Sequence, residues 1–158
     1  MVCTMHGAMT DTLYFEDFHV GRTFECGPYA VTTQEIVEFA REFDPQPHHL
    51  DEEAAKHSML GGLAASGWHV CAMTMRMFAD RMIPVMAARG GSGSREARWM
   101  KPVRPGDVLR VEAMVVETKQ SRGRPDIGHV VFECRVFNQK EQVALVLMTP
   151  VIARRSAA

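Results

Sequence analysis

The chain lacks most of the features that would set it apart from an ordinary globular protein. Its 158 residues carry 18 Lys and Arg against 19 Asp and Glu, a formal net charge of −1. A basic footprint for nucleic acid or for an anionic membrane surface is therefore missing. Cysteines are few: Cys3, Cys26, Cys71 and Cys134 are scattered, with no C-x-x-C pair and no histidine spacing of a zinc site. Cys71 and Cys134 fall in apolar patterns and read as small core residues of a reducing compartment. No metal and no bound organic cofactor is implied. No apolar run is long enough to span a bilayer. Met1 to Thr10 lacks the basic start and apolar centre of a signal peptide, so the expectation is a cytoplasmic protein. There is no internal repeat.

What is present is enough for one domain with a core, since 46% of the residues are hydrophobic. The expected division is a flexible segment over 1–13, a single domain over 14–153 and a tail over 154–158. Tyr14 to Phe24 is expected to be a loop that packs aromatic rings on the core, and Tyr29-Ala30-Val31 a short strand. Thr32 and Glu35 form a capping-box pattern, and Ile36, Phe39, Ala40 and Phe43 follow at helical spacing, which predicts a helix over 33–43. Acidic Asp51-Glu52-Glu53 suits the start of a short helix reaching about His57. Ser66 is a good N-cap for a long helix over 67–82. Trp68, Cys71, Ala72, Met75, Ala79 and Met82 lie on one stripe of it, and Val70, Met73, Met77 and Phe78 cover much of the rest. That helix is expected to be buried on most sides and to end or kink at Pro84. Twelve methionines, several on this helix, serve as gap-fillers or line a pocket for a flexible acyl chain.

The last third changes character. Gly90-Gly91-Ser92-Gly93-Ser94 predicts a flexible connector. Strands are predicted over 95–100, 108–117, 130–137 and 143–151, separated by turn-forming residues. Short links between consecutive strands favour antiparallel pairing. The sum is an α+β arrangement: a curved antiparallel sheet wrapped around one long helix.

The stretch Asp44-Pro45-Gln46-Pro47-His48-His49-Leu50-Asp51 stands apart from these elements. Each proline pushes the residue before it, Asp44 and Gln46, toward extended backbone. Fully extended, the path from Asp44 to His49 spans about 16 Å, so both side chains reach one water only if the segment folds back. Rigid surface turns are built from the same residue types, so this stretch alone leaves a turn and a catalytic pair both open.

D-P-Q-P-H-H-L-D-E-E-A-A, A-A-S-G-W-H and R-W-M-K-P-V-R-P-G-D together resemble the MaoC-like dehydratases, hot-dog-fold proteins that include the (R)-specific enoyl-CoA hydratases. The similarity runs over about 14–153. The resemblance implies a catalytic Asp and His five residues apart, here Asp44 and His49, and a glycine amide at the start of the central helix, here Gly67. It also implies a coenzyme A thioester as substrate and a homodimer or dimer of dimers. Gln46 stands where the hydratases usually carry Asn, and His48 beside His49 is a second departure.

Hydration of a 2-enoyl thioester needs a held and deprotonated water, a delivered proton and stabilisation of charge on the thioester oxygen. A neutral imidazole at position 49 suits the base. Burial of Asp44 in an apolar groove is expected to raise its pKa and suit it to acid work. The Gly67 amide, among the orphan donors of a helix's first turn, suits the oxyanion. Gln46, Ser66 and Trp68 are candidate substrate contacts. Arg122 and Arg124, with Lys119, form a basic loop able to pair with the phosphates of coenzyme A. Arg98, Lys101 and Arg104 flank Trp99 in the same way, although Pro102 to Asp107 fits turn chemistry. His69, inside the long helix, fits a core or interface role. The sequence leaves three functions open: hydratase or dehydratase of an acyl thioester, thioesterase, and non-catalytic thioester-binding subunit.

Overall fold

The computed structural model describes residues 11–155. The expected terminal segments fall mostly outside them, as does Cys3. Five strands form one antiparallel sheet: β1 (Thr23–Ala30), β2 (Ala88–Trp99), β3 (Val108–Gln120), β4 (Ile127–Phe137) and β5 (Gln142–Ala153), in the order β1-β3-β4-β5-β2. Four helices lie between β1 and β2: α1 (Thr33–Phe43), α2 (Pro47–Leu50), α3 (Glu52–Lys56) and α4 (Gly67–Met82).

The two longer helices begin and end where the sequence places them, because local chemistry fixes their ends. Thr32 Oγ1 accepts the Glu35 amide at 3.2 Å while Glu35 reaches back to the Thr32 amide at 3.2 Å. Ser66 Oγ accepts the Trp68 amide at 3.3 Å, which starts α4, and a 3-10 turn over Ile83–Val85 carrying Pro84 follows its last residue.

The sheet curls around one face of α4. Val70, Met73, Met77, Phe78 and Met82 are buried there against sheet residues such as Val111, Val115 and Phe132. Phe132 gathers the aromatic part of the core, with the rings of Phe78, Phe18 and Phe24 centred 5.1, 5.7 and 6.1 Å from its own. Gly27 lets β1 approach closely: a Cβ there would lie 3.0 Å from the Leu109 carbonyl oxygen and 3.1 Å from Met77 Sδ.

Several expectations change. The helix α4 is not buried on most sides: Trp68, Ala72 and Met75 on the opposite stripe are exposed. The stretch 90–94 is no connector. It belongs to β2, where Gly90 pairs with Val151, Gly91 with Pro150 and Ser94 with Met148; the partner strand supplies order that glycine and serine do not. The strand at 29–31 begins earlier, at Thr23, with a register shift between Cys26 and Tyr29. Only β3, β4 and β5 form a meander. The strand β2 pairs with β5, so residues 100–107 cross from one edge of the sheet toward the other. On the way, the Val103 carbonyl accepts the Ala65 amide at 2.8 Å, just ahead of α4.

Candidate active site

Asp44 is the residue that ends α1, its amide bonded to the Ala40 carbonyl at 3.0 Å. Two residues on, Gln46 is extended, as the following proline requires, and Pro47 opens α2 at a position where its missing N–H costs nothing. That short helix folds the chain back: the His49 amide donates to the Gln46 carbonyl at 2.9 Å. The result is that His49 Nε2 stands 3.5 Å from Asp44 Oδ2. The bend expected from the sequence is thus a one-turn helix, and Asp44 and His49 face each other.

Each member of the pair is held from behind by a contact distant in sequence. His49 is buried, and its Nδ1 lies 2.7 Å from the Ala64 carbonyl oxygen. A carbonyl can only accept, so Nδ1 carries the proton and neutral His49 presents an Nε2 lone pair to Asp44. Asp44 Oδ2 accepts from Ser66 Oγ at 2.6 Å and Oδ1 from Gln46 Nε2 at 2.7 Å. Those donors, Ser66 first and then Gln46, hold the Asp44 carboxyl below the usual carboxylate range. The expectation that burial would raise this pKa is therefore corrected: two donated hydrogen bonds outweigh partial desolvation. His48 lies edge-on to His49, ring centroids 4.3 Å apart, and burial pushes its pKa down.

Gly67 is the first residue of α4, and its amide has no hydrogen-bond partner among the described residues. Ser66 links this helix start to the pair, since its one hydroxyl caps α4 and bonds Asp44. A residue with no site role assigned from the sequence closes the other side. A Cβ on Gly67 would lie 2.4 Å from Trp99 Cε2, so the indole at the end of β2 rests directly on the glycine. Trp68 and Trp99 meet edge to face at 5.4 Å, and both are exposed, by 63% and 45%. Trp99 pairs with Ala144 at the end of β2, and no local spacing connects it to Gly67.

The remaining sequence candidates divide. Gln46 and Ser66 contact Asp44, and Trp68 borders Gly67. Arg122 and Arg124 lie in the turn after β3 and, among the described residues, make no contact with Asp44, His49 or Gly67. Arg124 is engaged within that turn by Asp126, at 2.7 and 3.1 Å. Arg122 edges a separate groove with Ser92, Ser94, Lys119 and His129. His69 is buried inside α4, stacked on Phe39 at 4.6 Å with Nε2 3.5 Å from Glu35 Oε1, away from the pair. Among the described residues no three His, Cys, Asp or Glu side chains converge as a metal-ligand set.

A five-stranded antiparallel sheet wrapped on one helix is the hot-dog fold, and here an Asp/His turn lies beside that helix's first residue. The chain belongs to the MaoC like domain family, whose sequence profile matches residues 17–132. A MaoC-like dehydratase from Rhodospirillum rubrum is 42% identical and superposes with a TM-score of 0.81, over 91% of this chain and 99% of that one. The protein YdeM of Bacillus subtilis is 29% identical over 126 residues, 80% of this chain and 88% of the relative. A 3-hydroxybutyryl-CoA dehydratase of Methylorubrum extorquens is 30% identical over 117 residues, 71% of this chain and 69% of the relative.

Proposed function

We propose that the protein interconverts a 2-enoyl thioester and its 3-hydroxyacyl counterpart, of the (R)-3-hydroxyacyl-CoA type, by adding or removing water. The observation that carries this reading is the 3.5 Å approach of His49 Nε2 to Asp44 Oδ2, two acceptors able to share the hydrogens of one water. In the hydration direction His49 Nε2 takes a proton from that water as its oxygen bonds C3. The C2=C3 π electrons move toward the thioester, whose oxygen gathers charge against the Gly67 amide. The imidazolium then returns a proton to C2, so the enzyme ends unchanged and one water is consumed. Asp44, with its carboxyl held ionised, is the weaker base; it orients the water and stabilises the imidazolium. Positioned acid–base groups of this kind contribute about 10²–10⁴-fold, and one oxyanion donor about 3 kcal/mol. Trp68 and Trp99 flank Gly67 and form the walls against which the thioester end of the substrate packs. The substrate is a coenzyme A thioester, the protein is cytoplasmic, and no metal or organic cofactor takes part in this scheme.

The active unit in this reading is a homodimer. The stripe of α4 that the sheet leaves open borders an apolar groove of about 610 Å³, with Trp68, Cys71 and Met75 on one side and Ala97 and Met148 on the other. Beside it runs β2, which among the described residues is an edge strand paired only with β5. A second copy covering both removes an exposed edge and an apolar face at once. Light scattering is expected to give twice the mass of one chain; a monomer at working concentration contradicts the assembly.

The reaction is tested by following enoyl absorbance and free thiol in parallel on a series of enoyl-CoA and 3-hydroxyacyl-CoA thioesters. The expected result is loss of the double bond without thiol release. Thiol release with the double bond intact marks a thioesterase, and binding without either marks a non-catalytic subunit.

A further inference from the structure

Residues 57–66, between α3 and α4, form no helix or strand, yet Gly62 through Ser66 are buried. Buried irregular backbone needs partners from elsewhere, and Arg104 supplies them. Its guanidinium donates Nη2 to the Leu60 carbonyl at 2.5 Å and Nη1 to the Leu63 carbonyl at 3.4 Å. Glu52 Oε2 accepts the Leu63 amide at 3.3 Å, and the carbonyl of Val103, the neighbour of Arg104, accepts the Ala65 amide at 2.8 Å. Gly62 leaves room for the guanidinium, since a Cβ there would lie 2.9 Å from Nη1. Ala64 is thus bracketed on both sides, and its carbonyl is the group that holds His49 Nδ1.

We infer that Arg104 is a positioning residue for His49: by pinning the loop at Leu60 and Leu63 it aims the Ala64 carbonyl that keeps the imidazole protonated on Nδ1 and open at Nε2. Without that carbonyl the proton is free to move to Nε2, where it donates to Asp44, and the lone pair needed for water points away. The planar fork of Arg reaches two carbonyls at once, which the single ammonium of Lys does not reproduce. The kinetic consequence rests on the hydratase reading above; the tautomer does not.

The test is ring-nitrogen NMR at mildly alkaline pH, with the His49 signals assigned by their loss in His49→Gln, on wild type, Arg104→Met and Arg104→Lys. In wild type His49 is expected to be protonated on Nδ1; in Arg104→Met the two tautomers mix, with circular dichroism unchanged. Turnover of an enoyl thioester then falls about tenfold to a hundredfold, the scale of a small misplacement of a catalytic group, with kcat affected more than KM. Arg104→Lys lies between, and decides the matter if Arg104→Met fails to fold. Tautomer mixing in a protein that turns over no enoyl thioester upholds the role of Arg104 and sinks the hydratase reading alone. An unchanged His49 tautomer in the folded variants overturns the inference, whatever their activity.

Discussion

Asp44 illustrates how one side chain's chemistry is set by residues that spacing does not reveal. Ser66, 22 positions away, donates the hydrogen bond that lowers its pKa most, and Gln46 adds the second. A carboxyl depressed in this way adds stability above its unfolded-state pKa, about 3.9, and loses that contribution as pH falls through the lower folded value. Ser66→Ala is therefore expected to move the Asp44 titration, followed by carboxyl-carbon NMR, to higher pH. The same change removes a helix cap, at a cost of about 1 kcal/mol. A titration midpoint that stays where wild type has it shows that Ser66 does not control this carboxyl. The bend between Asp44 and His49 and the helix start at Gly67 were legible in the sequence because proline chemistry and a helix cap act locally; the roles proposed for these residues came from the family resemblance. Ala64 behind His49 and Trp99 over Gly67 were not legible, because both contacts are made across the fold.

Among the elements, α1 and α4 show what local signals settle. Thr32 with Glu35 and Ser66 before Gly67 mark their starts as the structure has them. The strand β2 shows the opposite. Its Gly-Gly-Ser-Gly-Ser stretch has little side chain and little propensity to declare a strand, and pairing with β5 orders it. The burial of α4 was misjudged for a related reason: a helix apolar on two faces does not say which face meets the sheet of its own chain. At the junction of β2 and α4, Gly67→Ala forces a Cβ to within 2.4 Å of the Trp99 indole. Overpacking of this kind costs about 1–3 kcal/mol, so the melting temperature is expected to drop. Trp99→Ala in the Gly67→Ala background is expected to recover part of the loss, a coupling that residues in contact show. Strictly additive losses from the two substitutions contradict the contact.

At the scale of the whole molecule, the crossover of residues 100–107 explains why the site is where it is. It carries Val103 and Arg104 past the start of α4, and there the Asp44–His49 turn, the 57–66 loop and the first turn of the helix meet. The segment from Asp44 to Gly67 and the crossover, distant from it in sequence, thus meet around one imidazole, one carboxylate and one backbone amide. No described helix is long and apolar enough to cross a membrane. The central claim is that Asp44 and His49 work on a single water as a unit, and a double-mutant cycle on hydration of a 2-enoyl thioester tests it most directly. Asp44→Asn and His49→Ala are each expected to lower kcat/KM by about 10²–10⁴-fold, with the double variant scarcely slower than the worse of the two, as groups acting together behave. Losses that simply multiply, or either single variant retaining the wild-type rate, would contradict it.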